Sequence, residues 1–557
     1  MGSVLFEVTI ILCIASFLAI LFRFFKQPVI LAYLLTGIFI GPFGQLHLQN
    51  QETIRAMGDF GIALLLFILG LEFKLKELKI VGRHILGIGF LQVIITIICG
   101  YFLAMFFGMS SIASFYISIA LAFSSTIITV TILTDKKESS SLYGKITIGT
   151  LLVQDIFAVM VLVFLSGFSA TSLNASISTF FLIAIKAAIL FGIVAILSKS
   201  VLPKIIHRLA SSLDVLFLFT LAWVLGVTAI TSSNMIGFPV VIGGFLAGLA
   251  LANTSESIQI ASRVRVLRDF FATMFFVTLG MQMTFGSLSQ IWLPAGIFLL
   301  FVLLVKPFIV MLLMRMYGYH KRIAFLTAVN LGQISEFSFI IIYLGSRLGY
   351  VSNDVVSLIT FVGIASFAAS TYSISYSRKL YTVFGKYIPF FQNKTKELEA
   401  SGPIKNHVVL VGVHRMGESI LETLRHEKEN IIVVDFNPDI ISFLQEKQIP
   451  HVFGDISDLE IQEKAQVPAA KLVISTVPEA ESNALLIAGH NAKNGKALLI
   501  VVAQSREDAR RLYKMGADYV VLPDLIGGTQ VAALLRDSSL KEELAKLAAK
   551  DKKKLLL

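Results

Sequence analysis

The sequence contains few charged residues and few cysteines, and both shortages exclude classes of protein. Only 15% of the 557 residues are charged, whereas 56% are hydrophobic, and the mean hydropathy is +0.80. This composition excludes a soluble enzyme and predicts a polytopic membrane protein. The two cysteines, Cys13 and Cys99, lie in apolar runs. We therefore expect neither a disulfide framework nor a cysteine metal site.

Two short signatures are also absent from the sequence. No small-residue cleavage pattern accompanies the first hydrophobic run, Val4 to Phe22, so we predict a retained helix and not a signal peptide. No Thr-Val-Gly-Tyr-Gly motif is present, which argues against a potassium-selective pore. The net charge of +11 is spread along loops. This distribution indicates membrane topology and not nucleic-acid binding.

About thirteen segments are apolar enough to be membrane spans. They lie at about 3–22, 28–42, 58–73, 85–108, 111–134, 146–170, 177–199, 213–231, 235–252, 270–285, 290–316, 323–346 and 354–377. Several are short or contain Gly and Pro, so twelve spans are the alternative. Basic residues are concentrated in alternate loops, and the intervening loops carry chiefly Arg55 and Arg347. This asymmetry places the N-terminus outside and everything after Arg378 in the cytoplasm, and an even count would break it.

One acidic residue, Asp155, lies within the predicted span from 146 to 170. An ionised carboxylate inside a membrane costs about 2.5–3.5 kcal/mol on insertion scales, so such a residue faces water, binds a cation or takes up a proton. Because the proton and the cation compete for the same oxygens, Asp155 predicts cation/proton exchange. The alternative is a buried aspartate that only bonds a neighbouring helix.

Two predicted spans carry polar clusters near their middle, at Ala120–Thr129 and Val329–Phe337. Their matching places in the two halves predict inverted repeats with broken helices, whose freed ends meet an ion at the midplane. Hydroxyl groups that bond back to their own helix are the alternative. Lys306 precedes the second cluster and is expected to pair with Asp155 or Glu336, or else to snorkel towards the cytoplasmic interface.

Three further features are interpreted as structural. The small residues of Gly243–Leu249 predict close helix packing. Glu72 stands beside Lys74 and Lys76, which favours an interfacial ion pair. Pro307 predicts a local kink in its span.

After Arg378 the composition becomes that of a soluble domain. Six strand-like runs between His407 and Leu522 alternate with helical stretches and predict a doubly wound parallel sheet. The turn from Gly412 to Gly417, followed by Asp435 about 20 residues later, matches a dinucleotide-binding fingerprint with a histidine in place of the middle glycine. This loss favours a mononucleotide, a shifted pose or no ligand.

A nucleotide such as AMP, ATP or NAD(H) is expected at this turn. The predicted site comprises Gly412, His414, Arg415, Met416, Gly417, Asp435, Asp455 and Thr476. The chain then divides into a membrane domain at 1–380, a linker at 381–403, a Rossmann-like regulatory domain at 404–530 and a basic tail at 531–557, to which no function is assigned.

Several motifs together resemble the Kef-type potassium/proton antiporters of the monovalent cation/proton antiporter-2 family. They are Thr36-Gly37 to Gly41-Pro42, Phe67–Glu72, Gln154-Asp155, Gly243–Gly248, Gly280-Met281 and Gly332–Phe337. The C-terminal part resembles the N-lobe of an RCK (TrkA-N) domain. The resemblance implies a polytopic α-helical fold of the sodium/proton antiporter type, with inverted repeats, crossed broken helices and a C-terminal α/β Rossmann-like domain. It also implies a core domain that moves like an elevator against a dimerisation domain in a homodimer.

By the same resemblance, Asp155 corresponds to the ion-binding aspartate, Ser125 and Thr126 lie at the unwound crossover, and Lys306 is the basic residue near it. Electrogenic sodium/proton relatives carry two adjacent acids where this chain has Gln154 and Asp155. A single acid favours electroneutral exchange, with Gln154 as a neutral carbonyl ligand. The predicted ion-binding residues are Asp155, Gln154, Ser125 and Thr126, and Lys306 and Glu336 are predicted to line the ion path.

The sequence thus predicts a multi-pass antiporter of the cell membrane that exchanges a monovalent cation, with potassium favoured, for protons. No enzymatic activity, no cofactor for transport and no nucleic-acid partner are expected. The alternatives are a sodium/proton antiporter of the same fold, an RCK-gated potassium channel, and a membrane-anchored oxidoreductase, for which no substrate domain is recognisable. Only an antiporter predicts cation movement driven by a pH gradient.

Overall fold

The computed structural model describes residues 4–41, 50–72, 82–136, 138–139, 141–166, 177–233, 236–283, 288–319, 321–385, 388, 406–413 and 416–535. The chain forms two compact units, a helical one that reaches Phe390 and a second one formed mainly by the residues that follow. Two predicted nucleotide-site residues, His414 and Arg415, lie outside the described residues. So do nearly all of the predicted linker and all but the first residues of the predicted tail.

The first unit is built from helices. They are α1 (Val4–Phe24), α2 (Val29–Ile40), α3 (Gln51–Glu72), α4 (Arg83–Phe106), α5 (Ser111–Ala122), α6 (Thr126–Asp135), α7 (Leu142–Ser166), α8 (Ile177–Ser200), α9 (Leu202–Leu209), α10 (Leu213–Ser232), α11 (Val240–Leu251), α12 (Ser257–Met281), α13 (Leu288–Leu300), α14 (Lys306–Met316), α15 (Lys321–Asn330), α16 (Glu336–Arg347), α17 (Asn353–Ser375) and α18 (Ser377–Phe384).

Eight helical segments of the described residues are long and apolar enough to cross a membrane, by length and composition, and α2 and α11 are shorter apolar helices. The predicted polytopic architecture is therefore present, while the count of thirteen spans stays a prediction.

The helices of this unit form two groups. In the first, α3 packs along α11 and α12, α2 lies against α12 and α1, and α10 lies against α11. In the second, α5 packs against α4 and α16, α17 contacts α13, α15 and α16, and α14 contacts α4 and α15. We call these the scaffold group and the core group. Helix α7 belongs to the core group, because a Cβ atom added at Gly89 of α4 would lie 2.9 Å from the Val153 side chain of α7.

Glycines allow the backbones of the scaffold group to approach closely. A Cβ atom added at Gly244 would lie 2.3 Å from the Ala63 oxygen, and one at Gly248 would lie 2.0 Å from the Phe67 oxygen. Any side chain at these positions would therefore collide with the backbone of α3. This geometry confirms that the small-residue run of α11 serves helix packing.

In the core group two helices are interrupted, as the sequence predicts. Helix α5 ends before three residues that lead into α6, and α15 ends before five residues that lead into α16. Serine residues begin the second half in both cases. The Ser125 hydroxyl accepts the Ile128 amide at 3.2 Å, and the Ser335 hydroxyl accepts the Phe337 amide at 3.3 Å. Such N-caps satisfy amides that an interrupted helix leaves free.

Helices α13 and α14 are joined by a π-helical turn at Phe301–Val305, immediately before Lys306. Pro307 has no amide hydrogen and therefore cannot continue the regular hydrogen-bond ladder. The wider turn keeps the helix continuous at this point, which agrees with the local distortion predicted from Pro307.

The second unit contains a six-stranded parallel sheet of order β3-β2-β1-β4-β5-β6. Its strands are β1 (Val408–Val411), β2 (Ile431–Asp435), β3 (His451–Phe453), β4 (Leu472–Ser475), β5 (Leu498–Val502) and β6 (Tyr519–Val521). They are interleaved with α19 (Met416–His426), α20 (Pro438–Glu446), α21 (Leu459–Lys464), a short 3-10 helix (Val467–Ala469), α22 (Ala480–Ala492), α23 (Arg506–Met515) and α24 (Pro523–Leu535). Strands β1 and β2 are buried throughout, as central strands of a doubly wound sheet are.

Candidate functional site

The two interrupted helices of the core group bond directly to each other. The Ser124 hydroxyl donates to the Leu331 oxygen at 2.9 Å, and the Thr129 hydroxyl donates to the Asn330 oxygen at 3.0 Å. The Ser338 hydroxyl also donates to the Ala120 oxygen. Hydroxyl groups of one interrupted helix thus satisfy carbonyls of the other. We call the two breaks, residues 123–125 and 331–335, the junction. Irregular backbone within a membrane-spanning unit requires such partners, because lipid offers no hydrogen bonds.

Lys306 binds carbonyl oxygens from both breaks. Its Nζ donates to the Phe123 oxygen at 2.7 Å and to the Gln333 oxygen at 2.8 Å. Within the described part of the chain it forms no ion pair with Asp155 or Glu336, so the expected acid partner is not found there. Its side chain is fully buried, which also excludes snorkelling. The physical reason is that the C-terminal end of α5 and the second break present carbonyl oxygens, whose partial negative charge attracts a cation.

Two carboxylates lie at the N-termini of α6 and α16, which are the second halves of the interrupted helices. The Thr126 hydroxyl, at the first residue of α6, donates to Asp155 Oδ2 at 2.9 Å. The Ser125 hydroxyl donates to Oε1 of Glu336, the first residue of α16, at 2.7 Å. Helix N-termini carry partial positive charge and therefore stabilise nearby anions. The structure thus brings together four predicted site residues, Asp155, Thr126, Ser125 and Glu336.

Asp155 and its neighbour Gln154 face different surroundings. Gln154 is fully buried, whereas Asp155 is partly accessible. Among the described residues, the Thr126 hydroxyl is the hydrogen-bond donor found for the Asp155 carboxylate. A carboxylate has about four lone-pair sites, so most of its acceptor capacity is free for a cation or a proton.

Gln154 holds the first break in place. Its Oε1 accepts the Ser124 amide at 2.9 Å, and its Nε2 donates to Gln92 Oε1 at 2.5 Å. The oxygen that the sequence analysis assigns to the cation is therefore engaged by the backbone. A role for Gln154 as a cation ligand stays a prediction, whereas its contact with the break is a feature of the structure.

Gln92 of α4 was not predicted as a site residue. Asn330 and Gln333 were predicted only as members of the second polar cluster, without individual contacts. Gln92 is fully buried, and Gln333 Nε2 donates to the Thr129 hydroxyl at 2.7 Å and to the Asn330 oxygen at 3.2 Å. The one available signal for Gln92 was an isolated amide within an apolar span. Such a residue must find partners inside the protein, since lipid offers none.

In the second unit, the predicted glycine turn has the geometry that its sequence requires. Gly412 has a φ of 82°, which disfavours any side chain. A Cβ atom added at Gly417 would lie 2.0 Å from the Gly412 oxygen. The Thr476 hydroxyl donates to that same oxygen at 2.8 Å. The two glycines therefore permit the tight turn and the close approach of α19 to the sheet.

The acidic residues predicted for this site bind the backbone around it. Asp435 Oδ2 accepts the Val413 amide at 2.7 Å, and Oδ1 accepts the Asn437 amide at 2.8 Å. Asp455 Oδ1 accepts the amide of Ser457 at 2.9 Å. Gly412 and Thr476 follow β1 and β4, where the strand order reverses. Ligands of open α/β sheets bind in the crevice at such a reversal.

Two family models match this chain. Residues 10–375 match the transmembrane sodium/hydrogen exchanger, and residues 408–523 match the TrkA-N domain. The first match includes the junction and Asp155, and the second includes the glycine turn.

Several curated proteins are similar over most of the chain. YbaL of Escherichia coli K12, named as a cation/proton antiporter, is 27% identical over 535 residues, which cover 92% of this chain and 93% of YbaL. The glutathione-regulated potassium-efflux protein KefC of Salmonella schwarzengrund is 25% identical, with 86% of this chain and 76% of KefC covered. The chloroplastic K(+) efflux antiporter 2 of Arabidopsis thaliana is 27% identical, with 90% of this chain but 43% of that protein covered.

A solved structure supports the fold of the first unit. The sodium proton antiporter MjNhaP1 of Methanocaldococcus jannaschii superposes with a TM-score of 0.51 and 18% identity, covering 67% of this chain and 96% of that one. At this identity the similarity shows the fold alone.

Proposed function

The chain belongs to the sodium/hydrogen exchanger family and carries a TrkA-N domain in the arrangement of Kef-type antiporters, and from this premise we propose that it exchanges potassium ions for protons across a membrane. The observation that carries the proposal is the state of Asp155. It is a partly accessible carboxylate with one described donor, next to the junction of two interrupted helices.

The proposed exchange follows from competition at Asp155. When the carboxylate loses its proton, it binds one cation. The hydroxyl oxygen of Thr126, which lies 2.9 Å from Asp155 Oδ2, and that of its neighbour Ser125 assist as ligands. Either the proton or the cation neutralises the site. A carboxylate with neither a proton nor a cation is charged and crosses the apolar barrier poorly, because burying an unpaired ion costs on the order of several kcal/mol. This difference couples the two ion movements.

Potassium is the proposed cation for two reasons. The chain has a single acid at Gln154-Asp155, which suits electroneutral exchange of one cation for one proton. Proteins similar to this chain are named as potassium-efflux systems. Sodium exchange by the same site is the second candidate, since a carboxylate with hydroxyl ligands binds either ion.

The two helix groups provide a basis for alternating access. We propose that the core group moves against the scaffold group and that two copies associate through the scaffold group as a homodimer. We also propose that the N-terminus lies outside and the TrkA-N domain in the cytoplasm of the cell, an orientation that the basic residues in alternate loops support.

The regulatory ligand is proposed to be a nucleotide, AMP, ATP or NAD(H), at the glycine turn. The residues present fit a phosphate group, because the turn leads into the N-terminus of α19, where free amides favour anions. Thr476 and Gly412 border the crevice, and Asp435 lies at the end of β2 with its carboxylate holding the turn. A bound nucleotide would bias transport if it preferred one conformation of the protein.

Exchange is tested with the purified full-length protein in liposomes. An imposed pH gradient should drive potassium-dependent proton flux in the wild type, and Asp155→Asn should abolish it while leaving a folded protein. Asp214→Asn changes an exposed aspartate of α10 and serves as the control. Full activity of Asp155→Asn would contradict the proposal. Comparing potassium, sodium and rubidium identifies the cation.

Nucleotide binding is tested separately by calorimetry of the full-length protein with AMP, ATP and NADH. Heat from one of them, together with a change in flux when it is added to the TrkA-N side, is expected. If none of the three gives heat, the regulatory proposal fails, whereas the exchange proposal is unaffected.

A further inference from the structure

Gln92 is a fully buried amide on α4 that bonds the end of α5 and Gln154, the residue that holds the first break, as well as Thr96 of its own helix. Its Nε2 donates to the Ala122 oxygen and to the Thr96 hydroxyl, both at 3.1 Å. Its Oε1 accepts Nε2 of Gln154 at 2.5 Å. Gln92 is not part of any ion site predicted from the sequence, and it does not contact Asp155 in the described structure.

These bonds fix the orientation of both amides. The Gln92 NH₂ group must face the Ala122 carbonyl, because the reverse orientation would place two oxygens against each other. Its oxygen then faces Gln154, and the NH₂ group of Gln154 must point towards it. The Gln154 oxygen is consequently the atom that meets the Ser124 amide, at 2.9 Å.

The Ser124 amide is two residues from Thr126. Ser125 donates to Glu336 and Thr126 donates to Asp155, so both hydroxyls that could meet an ion follow directly from the backbone that Gln154 holds. Gln92 therefore acts on the Ser125 and Thr126 hydroxyl groups indirectly, through its bond to Gln154 and the bond of Gln154 to the Ser124 amide. Because Ala122 ends α5 and Ser124 lies in the break, the pair of glutamines links the end of α5 to the break.

We infer that Gln92 is a positioning and specificity-determining residue, which sets the spacing between the Thr126 hydroxyl and the Asp155 carboxylate and thereby the preference for potassium over sodium. Sodium is the smaller ion and binds more tightly when its oxygen ligands can move closer together. Potassium is larger and binds best when those oxygens are held further apart. A break locked by two amides resists contraction. This inference rests on the proposed exchange at Asp155, but it concerns the choice of ion and not the occurrence of exchange.

The test compares Gln92→Leu and Gln92→Glu with the wild type in liposomes. Leucine removes every bond to the break, and we expect the KM for potassium to rise about tenfold, the potassium-to-sodium ratio of kcat/KM to fall at least fivefold, and kcat to change by less than about threefold, where tenfold corresponds to 1.4 kcal/mol. Glutamate in its neutral form, which burial favours, keeps an acceptor for the Gln154 amide and an O–H donor for the Ala122 oxygen, and it should retain at least half of the discrimination. Thr36→Val, which removes a buried hydroxyl that bonds back to its own helix at 2.7 Å, is the control and should leave the ratio unchanged.

The inference is overturned if Gln92→Leu lowers kcat in proportion to the folded fraction while KM and the ion ratio stay at wild-type values. It is also overturned if Gln92→Glu loses discrimination as fully as Gln92→Leu. A readout that does not need transport is the rise in unfolding temperature that potassium and sodium each cause in the purified full chain. The difference between the two ions should shrink in Gln92→Leu, and an unchanged difference contradicts the inference. A wild type without any pH-driven flux would refute the proposed function, whereas this thermal comparison would still decide the role of Gln92.

Discussion

The scaffold group and the core group are both built largely from apolar helices, yet different contacts hold each group together. In the scaffold group, glycines of α11 bring backbones into contact, and a buried hydroxyl such as that of Thr220 bonds back to its own helix, to the Leu216 oxygen at 2.7 Å. In the core group, buried hydroxyls such as that of Thr129 bond to a different helix.

This difference in contacts indicates which group of helices is suited to ion binding. Close glycine packing depends on shape complementarity, and such tightly packed contacts resist deformation. Interrupted helices contain irregular backbone, whose carbonyls and amides are bonded by side chains and can also meet an ion. The scaffold group is therefore suited to a fixed support, and the core group to binding and movement.

The largest effect is expected for Gly248→Ala in the scaffold group. The added Cβ would lie 2.0 Å from the Phe67 oxygen, a contact that only backbone movement can relieve. We expect a loss of stability of about 3 kcal/mol, at the upper end of the usual range for overpacking. Thermal unfolding in detergent measures it. Gly226→Ala of α10, where an added Cβ meets nothing within 4 Å, is the control; equal unfolding temperatures for the two variants would show that the scaffold tolerates rearrangement.

The next effect contrasts two buried threonines. Thr129→Val keeps the shape of the side chain but removes a donor to the Asn330 oxygen and an acceptor for Gln333. The Asn330 oxygen and Gln333 Nε2 keep their longer bond to each other, at 3.2 Å, but two shorter buried bonds are lost. At about 1 kcal/mol for each lost bond, we expect a loss of about 2 kcal/mol and a fall in exchange. Thr220→Val removes only a bond within one scaffold helix and should be nearly neutral. Similar losses in both variants would contradict the distinction between the groups.

These contrasts also show how far the sequence predicts the molecule. Periodicity and polar clusters predict the interrupted helices and the parallel sheet, because each follows from local composition. The grouping of Asp155, Ser125 and Thr126 at the crossover was implied by the family resemblance and not by local composition. The partners of Lys306 were not predictable in this way. A lysine inside a span suggests a carboxylate partner. At a junction of broken helices, backbone carbonyls are alternative partners. Because every residue type has the same backbone carbonyl, the sequence does not indicate which of them is free to bind.

The same limit applies to Gln92 and Asp435. Gln92 contacts a break about 30 residues away in the chain, a distance that no local pattern encodes. Asp435 was predicted as part of the nucleotide site and lies at the end of β2, yet its carboxylate binds the amides of Val413 and Asn437. A fingerprint states which residue type is needed at a position, and it does not state whether that residue serves the ligand or the loop.

A smaller effect is expected at the end of the core group, where Glu138 ties the loop after α6 to the start of α18. Its carboxylate lies 2.5 Å from Arg378 and 3.0 Å from Lys136, and it also accepts the Tyr143 hydroxyl. Glu138→Gln keeps the shape but removes the charge. Since both cations are partly exposed, we expect a loss of about 1 kcal/mol in thermal unfolding, discounted for solvent screening.

The matched scaffold variant is Glu256→Gln. Glu256 bonds the exposed His207 at 3.3 Å and the Ser255 hydroxyl at 2.9 Å, so it has no strongly held cation among these partners. Its replacement should cost less than that of Glu138. If Glu256→Gln proved more damaging, charge pairing would be as important to the scaffold group as to the core group.

The smallest effect is expected where the two groups meet. Asp59 of α3 accepts the Tyr343 hydroxyl of α16 at 2.9 Å and lies 3.9 Å from Arg347. A core group that moves against the scaffold group must change these contacts, so Asp59→Asn, which keeps an acceptor but loses the charge, should ease departure from this conformation. An exposed pair contributes about 0.2–1 kcal/mol, and we therefore expect exchange to become about two- to fivefold faster in liposomes, with unfolding temperature unchanged. A wild-type rate in both Asp59→Asn and Tyr343→Phe would mean that these contacts do not restrain the movement, and the boundary between the groups would then have to be drawn elsewhere.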